Sequence, residues 1–478
     1  MHSSAAPEDT GLKRDSVSAV QVAVVSMAAC GPAAGIALTI PAMSGFAGEA
    51  LVFALLLTLG VILMLTNTFV EFSKRIPSAG SLLAWNSAGL GSNFGFVFGW
   101  FFVGGYLLIS ATGLAAFGGF AHDYFAGSLS IDLPWWVFSA VCSAYVIVLA
   151  WRGVAQTVES ALVLLAFEVG VVLLLVVSLL IAGDVHFSSA PLDPGSAPNG
   201  WAGVGLAMSF GVLAMVGYEA AATLAEEAKD SRRSVARGLW IAGVAMPVFF
   251  LVVGYVLVAS YGPIDKFAAD PLAAQTLATR VWHSFGGVIS VVVILSAAAF
   301  SQTAFNAGMR VIYSLGRVRL LPPVFARTHP EHKTPTAAIV LFAAVVLPAA
   351  FIASAFVGPL QLFAYYGFMT AIAFLVVYAL TNVALAVFVR RHDPAEFSPL
   401  RHVLVPLLAM AGVLYPLYRT VHPLPDAPYP ALTLVVVGWA AIGVALLLYV
   451  RGSRGSDVDE VARAFAAIDE PEAEAVRA

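Results

Sequence analysis

Charge is what this sequence has least of. Only 11% of its 478 residues are Asp, Glu, Lys or Arg, against about 25% in an ordinary soluble domain. With 60% hydrophobic residues and a mean hydropathy of +0.90, a soluble fold of this length could not cover its own apolar surface, so a polytopic membrane protein is expected. Cysteine is equally scarce. Cys30 and Cys142 are the only two, and both fall in apolar runs, which speaks against a disulfide framework or a cysteine metal site. A phosphate-binding Gly-rich loop ending in Lys is missing, so ATP-driven work by this chain is not expected. His122, Asp123 and His186 fall in outer loops without partners at metal-ligand or triad spacing. Neither an enzyme, a metal site nor a cofactor is therefore expected, and no nucleic-acid partner. The first sixteen residues are polar and lack the basic-then-apolar order of a cleavable signal, so the first apolar run reads as a retained helix.

What the sequence has is long apolar runs. A helix needs about 20 such residues, with a range of roughly 17–25, to cross the hydrocarbon of a bilayer. Twelve runs meet this: 17–43, 48–72, 94–120, 134–151, 156–182, 201–225, 236–260, 284–316, 334–355, 360–389, 402–420 and 430–450. The eighth is too long for one crossing, and its C-terminal part is expected to leave the membrane. With the N-terminus in the cytoplasm, alternation puts 21 of the 24 Lys and Arg on the cytoplasmic side, including Lys74, Arg75, Arg232, Arg233, Arg310, Arg317, Arg319, Arg390 and Arg391. Lys266, Arg280 and Arg419 remain outside. That asymmetry is the positive-inside pattern. It sets an even number of spans, both termini in the cytoplasm, and the cytoplasmic (inner or plasma) membrane as the site of residence. The chain then divides into a cytoplasmic tail at 1–16, spans 1–5 at 17–182, spans 6–10 at 201–389, spans 11 and 12 at 402–450, and a cytoplasmic tail at 451–478. In that last tail residues 457–468 carry an amphipathic spacing, with Val461, Phe465 and Ile468 on one side. It reads as a solvated tail, with no soluble domain attached.

Two of the runs are interrupted. The sixth contains Phe210-Gly211-Val212-Leu213-Ala214-Met215-Val216-Gly217-Tyr218-Glu219, with two glycines and a carboxylate inside an apolar stretch. The first contains Cys30-Gly31-Pro32-Ala33-Ala34-Gly35. Lipid offers no water to unpaired backbone groups, so a helix that loosens at mid-membrane must line a cavity. A carboxylate at that depth is costly and reads by default as part of a site. Interruptions at corresponding places in two halves point to the binding site of a secondary transporter.

Three further motifs carry a resemblance. The connection between spans 2 and 3 reads Phe72-Ser73-Lys74-Arg75-Ile76-Pro77-Ser78-Ala79-Gly80-Ser81, followed by Gly95-Phe96-Val97-Phe98-Gly99-Trp100. Gly217-Tyr218-Glu219 is followed by Glu226-Glu227-Ala228-Lys229-Asp230 and Arg233. After the eighth span come Arg310, Leu315-Gly316-Arg317 and Leu321-Pro322-Pro323-Val324-Phe325. From about residue 17 to 450 the chain resembles the amino acid–polyamine–organocation (APC) permeases. The resemblance implies an all-α polytopic fold of 12 transmembrane helices, with a five-plus-five inverted repeat of the leucine-transporter type and discontinuous helices 1 and 6. Spans 11 and 12 would be peripheral. It also implies a small-molecule substrate, an amino acid or close derivative. The mode of transport does not transfer.

Site residues follow from the chemistry of the breaks and from this resemblance. Pro32 removes an amide donor and clashes with the preceding turn, while Gly31 and Gly35 weaken the helix. The amides near Ala33, Ala34 and Gly35 are expected to hold a substrate carboxylate at the positive end of the second half-helix. Carbonyls before the break would accept from the α-ammonium. The alternative is a kinked helix packed through small residues. Ser209, Phe210 and Gly211 would offer matching carbonyls, with Phe210, or Leu213 one turn on, as the gate. Phe102, Val103, Tyr106 and Ser110 share a face of the third span that lines the pocket in the family. Glu219 is the first candidate for a group that gains and loses a proton in the cycle, or else for a backbone-bonded brace of the broken helix. Glu168, near the middle of the fifth span, is its rival, or an interhelical hydrogen-bonding residue. Ser301 and Thr303 would ligate sodium or bond neighbouring helices. Spans 4 and 5 carry no Lys, so a lysine standing in for sodium is absent. Tyr365 and Tyr366 would narrow the path.

No span interior supplies an Arg or Lys for an anionic side chain, and Glu219 reads as already committed. A neutral amino acid is therefore the expected substrate, with H+ as coupling ion and Na+ as the alternative, by symport or exchange. A polyamine or ethanolamine-like amine stays open if Glu219 or Glu168 faces the pocket. A channel would show a ring or filter of repeated polar residues, and a sensor would add an output domain. The sequence assigns no oligomeric state; its surroundings are the lipid bilayer.

Overall fold

A computed structural model describes residues 11–270, 272–422 and 427–454. The amphipathic spacing at 457–468 lies outside these residues. All regular structure among the described residues is helical, apart from one isolated β-bridge between Val17 and Ala228. In chain order the α-helices are α1 Ala19–Ala29, α2 Pro32–Ala34, α3 Ile40–Ala47, α4 Leu51–Arg75, α5 Leu82–Leu90, α6 Ser92–Leu129, α7 Trp135–Arg152, α8 Val154–Ala182 and α9 Gly200–Met215. They continue with α10 Ser231–Tyr261, α11 Ile264–Ala269, α12 Ala273–Trp282, α13 Val288–Arg317, α14 Thr336–Val357, α15 Pro359–His392, α16 Val405–Val421 and α17 Tyr429–Arg454. A π-helical turn, Gly35–Thr39, joins α2 to α3, and a 3-10 helix, Tyr218–Glu227, follows α9.

Eleven helical runs among the described residues are long and apolar enough to cross a membrane, which makes this a multi-pass membrane protein. The first, Ala19–Arg75, is 57 residues long and contains the Gly31–Pro32 interruption. Each apolar run read from the sequence is covered by helix, although the first is divided among α1, α2, the π-helical turn and α3, and α6 runs on past 120 to Leu129. The eighth is one unbroken helix, α13, of 30 residues. Two segments were not foreseen. α5 folds between the second and third runs, and α11 and α12 fold between the seventh and eighth. Both lie in stretches whose apolar content is too short or too interrupted for a crossing.

Local chemistry explains the ends. Ser18 caps α1 and pairs with Gln21 in a reciprocal capping box, satisfying two of the amides a helix start leaves free. Lys74 and Arg75 close α4, at the end where the helix dipole favours positive charge. The helices form an inner and an outer set. α13 is buried through most of its length, whereas little of α17 is. α8 shows why: Leu165, Glu168, Val172 and Leu175 are buried, while Val163, Leu174 and Ile181 on its other side are exposed. In water that outer side would be a large apolar patch; in a bilayer it meets hydrocarbon.

One end of the bundle is tied by charges. Arg310 and Glu227 form a buried pair, each side chain 3% exposed, at 2.8 Å. Arg317 meets Glu226 at 2.5 Å, and the other Glu226 oxygen accepts from the Ala79 amide. The amides of Ser16 and Val17 donate to the Glu227 carbonyl, and Lys229 returns an amide to Val17. Beside this layer Glu71 accepts from Lys74, Arg75 and His402, and Arg75 also reaches Asp393 and Glu396. Lys74, Arg75, Arg310 and Arg317, four of the residues that the sequence placed on one side, take part in these bonds.

Candidate functional site

The two interrupted runs meet. Gly31 has φ +54° and Gly217 φ +100°, a backbone region that glycine enters at little cost. Pro32 follows Gly31 as the first helical residue of α2, where its missing amide costs nothing. The Cys30 thiol lies 3.9 Å from the Met215 carbonyl, and a Cβ on Gly217 would come within 3.3 Å of the Ala29 carbonyl. A Cβ on Gly31 would stand 2.7 Å from the Phe300 ring, and one on Gly35 2.6 Å from Phe250. These glycines let two backbones and two aromatic rings close around one place.

That place is a cavity of about 530 Å³ of atom-free space, part of it open at its mouth. Of the residues read from the sequence, Gly31, Ala34, Gly35 and Leu213 line it. Cys30, Ala214 and Val216 of the same two interrupted stretches join them, and the rest of the wall was not foreseen: Ala29, Thr39, Ile109, Thr112, Phe363, Gly367 and Thr370, with Phe300. Threonines inside apolar runs were the available signal, but a threonine also satisfies itself on its own helix, as Thr112 does on the Leu108 carbonyl. Among the described residues no charged side chain lines the cavity. Its walls are apolar surface, threonine hydroxyls and main chain.

Glu219 lies behind this wall, wholly buried. Its Oε1 accepts from the Tyr106 hydroxyl at 3.1 Å. Its Oε2 accepts from the Tyr378 hydroxyl at 2.5 Å and from the Gly217 amide at 3.1 Å. Three donors from three elements thus meet one carboxylate. Around them Phe102, Tyr106, Phe374, Tyr378, Phe69 and Tyr218 pack ring against ring. Phe102 and Tyr106 therefore belong to this aromatic layer and do not line the cavity. Tyr378 was missed from the sequence because nothing distinguishes it from other aromatics of the tenth span.

Glu168 is also wholly buried, at the other side of the first break. Its Oε2 accepts from the Ala33 amide at 3.4 Å. The neighbouring Ala34 amide donates to the Ser296 hydroxyl at 3.2 Å. The Gly35 amide donates to the Gly31 carbonyl at 2.8 Å. The half-helix amides read as a carboxylate cradle therefore have partners here, and one partner is itself a carboxylate.

The remaining residues lie elsewhere. Ser209, Phe210 and Gly211 sit in the regular part of α9, because the interruption falls further on, at Val216–Gly217. The Ser209 hydroxyl donates to main-chain carbonyls, including that of Pro416. Phe210 stacks on Phe46, and Gly211 packs closely on Thr58 and Met43. Ser301 and Ser110 bridge α13 and α6 through each other's carbonyls, and Thr303 donates to the Ala299 carbonyl of its own helix. Tyr366 donates to the Ala349 carbonyl, and Tyr365 packs on Tyr429. Among the described residues no group of three or more His, Cys, Asp or Glu is placed to hold a metal ion.

Many membrane-crossing helices, two of them broken where they meet at a cavity, are the architecture of a membrane transporter. The sequence profile of the amino acid permease family matches residues 17–450. The chain belongs to that family, within the APC superfamily of transporters, and is not an enzyme. A branched-chain amino acid permease of Bacillus subtilis is 23% identical over 313 residues, covering 62% of this chain and 66% of that protein. A methylthioribose transporter of the same organism is 25% identical, with 60% and 64% covered. A low-affinity putrescine importer of Escherichia coli is 24% identical, with 63% and 66% covered. The chain spans just under two thirds of the length of each of these relatives.

Proposed function

We propose that this protein is a secondary active transporter that carries a neutral amino acid with an apolar side chain across the cytoplasmic membrane by alternating access. The observation that carries this reading is the cavity at the two breaks, walled by Ile109, Leu213, Phe300 and Phe363 and by main chain, with no charged side chain. A zwitterion needs no side-chain charge when helix ends supply amides on one side and carbonyls on the other. The α-carboxylate faces the start of the helical run at Pro32. The α-ammonium faces the last carbonyls of α9. The side chain then lies among the four apolar residues. Leu213 takes the role of gate, standing beside Gly367. The B. subtilis relative named for branched-chain amino acids supports this choice of side chain.

Twelve crossings fit this mechanism. At 57 residues, Ala19–Arg75 is more than twice the about 20 residues one crossing needs, so it counts as two. Spans 1–5 and 6–10 then form the inverted repeats, with the breaks at matching places, and the termini are cytoplasmic. In this frame the ion pairs of Arg310 and Arg317 close the cytoplasmic side, and the cavity faces outward. Glu219, with three donors, serves as a latch between the sixth, third and tenth spans. Ser301 and Thr303 use their hydroxyls on carbonyls, which favours H+ over Na+ as the coupling ion, by symport or exchange.

The importer named for putrescine supports a second reading, an amine substrate. It would require Glu168 or Glu219 to face the cavity, and neither is among its lining residues. Uptake of labelled L-leucine into proteoliposomes under an imposed pH gradient tests the proposal. Uptake that unlabelled isoleucine and valine compete, and putrescine does not, is expected; uptake of putrescine alone would overturn it.

A further inference from the structure

We propose that Glu168 is the proton carrier of the transport cycle, and that the substrate's own carboxylate drives it to take up the proton. This rests on the reading of the substrate as a zwitterion bound at the first break.

Glu168 is a tethered carboxylate already seated where a substrate carboxylate belongs. Its Oε2 accepts from the Ala33 amide, at the start of the helical run from Pro32 through Ala47. Ser296 stands beside the Glu168 carboxyl and accepts from the Ala34 amide. The cavity is one residue away: Ser296 Oγ would lie 3.4 Å from a Cβ on Gly31, and Gly31 and Ala34 line the cavity wall.

The second oxygen, Oε1, is buried without a hydrogen-bond partner. An unpaired buried carboxylate oxygen is costly, so this atom is placed to receive a proton. Among the described residues no cationic side chain is paired with it. The elements packed on α8 include α13, α1, α10, α7, α2 and α12. Of their ionisable groups, Cys30, Tyr145, Arg233, Tyr255, Tyr261, Arg280, Arg310 and Arg317 bond elsewhere; Cys142, Arg152, Arg232, Arg237 and Tyr313 are the others, and none of them is a partner of Glu168. Glu219 differs in this respect, since both its oxygens have donors.

Two carboxylates sharing one small set of amides cannot both stay anionic. When the substrate carboxylate enters beside Gly31 and Ala34, one of the pair must be neutralised. The substrate is held in its zwitterionic form by its own ammonium, so the proton goes to Glu168. It comes from the aqueous phase that the open cavity faces and adds to Oε1, forming one O–H bond. No other bond forms or breaks. Release of substrate on the far side restores the unneutralised carboxylate and lets the proton leave. One proton then moves with one amino acid.

The test is a proton count. L-leucine is added to purified full-length protein in weakly buffered, sodium-free solution at alkaline pH with a pH-sensitive dye, and binding is followed in parallel by calorimetry. Wild type is expected to take up about one proton per leucine bound, with Kd rising up to about tenfold per pH unit in the alkaline range. Glu168→Gln is expected to take up none, with Kd independent of pH. Because Glu168→Gln could fail to fold, the infrared carboxylic-acid band that leucine raises in the wild type, and its shift in Glu168→Asp, is the second readout. Absence of that band overturns the proposal. Leucine binding without proton uptake, or only with added sodium, overturns it while leaving the substrate reading intact. No leucine binding to wild type at any pH overturns both.

Discussion

Tyr378 donates its hydroxyl to Glu219 at 2.5 Å, although 159 residues separate them in the chain. The bond ties α15 to the 3-10 helix that follows the break in the sixth span, and Tyr106 ties α6 to the same carboxylate. A buried acid that gathers donors from separate helices fixes their mutual position. Such networks cost more to break than single bonds suggest.

Tyr378→Phe keeps the ring packing and removes one donor. A hydrogen bond to a charged group contributes about 1.5–3 kcal/mol, so a loss of about that size is expected in chemical denaturation. The double variant with Tyr106→Phe should lose less or more than the sum, because the two share one acceptor. Additive losses within about 0.5 kcal/mol would show that the two hydroxyls act independently.

Arg310 and Glu227 are a buried pair. Arg310→Met or Glu227→Gln alone strands one charge and should cost about 3–5 kcal/mol. The double variant Arg310→Met with Glu227→Leu should recover most of that loss. Urea or thermal unfolding of the three proteins checks this. A double variant as unstable as the worse single one would mean that the pair acts through its other bonds, such as that of Arg310 to the Asn306 carbonyl.

Leu213 stands against the position a side chain on Gly367 would occupy, with Cδ2 3.3 Å away. Leu213→Ala widens the cavity on that side. Leucine should bind about tenfold more weakly, since apolar pocket contacts discriminate by about 1–3 kcal/mol, and phenylalanine should gain relative to leucine. Competition uptake measures the ranking, and an unchanged order would move Leu213 out of the selectivity wall.

The sequence carried the fold at the level of runs and interruptions, because hydrocarbon imposes length and continuity on every crossing. It carried less of the site. Gly211 and Gly217 look alike in the chain, yet Gly211 serves close packing on Thr58 and Gly217 carries the positive φ that ends α9. Which glycine breaks a helix is decided by the neighbour that must fit beside it. Tyr106 was legible as inward-facing, but its partner was not, since Glu219 and Tyr378 are brought to it only by the packing of three helices. Ser301 and Thr303 were legible as polar in an apolar run; that their hydroxyls bond main-chain carbonyls depends on local helix geometry and on α6. The cavity wall of Ile109, Phe300 and Phe363 had no signal beyond apolar character, which every lipid-facing residue shares.

The central claim is that a zwitterion binds at the first break by its carboxylate. Thermal unfolding of the purified protein with L-leucine, L-leucinamide and 3-methylbutylamine tests it most directly, because a ligand of the native state raises the melting temperature by mass action. The account predicts stabilisation by leucine and none by the two amines, which lack the carboxylate. Stabilisation by 3-methylbutylamine equal to that by leucine would contradict it and make an acidic residue, not the broken backbone, the substrate's anchor.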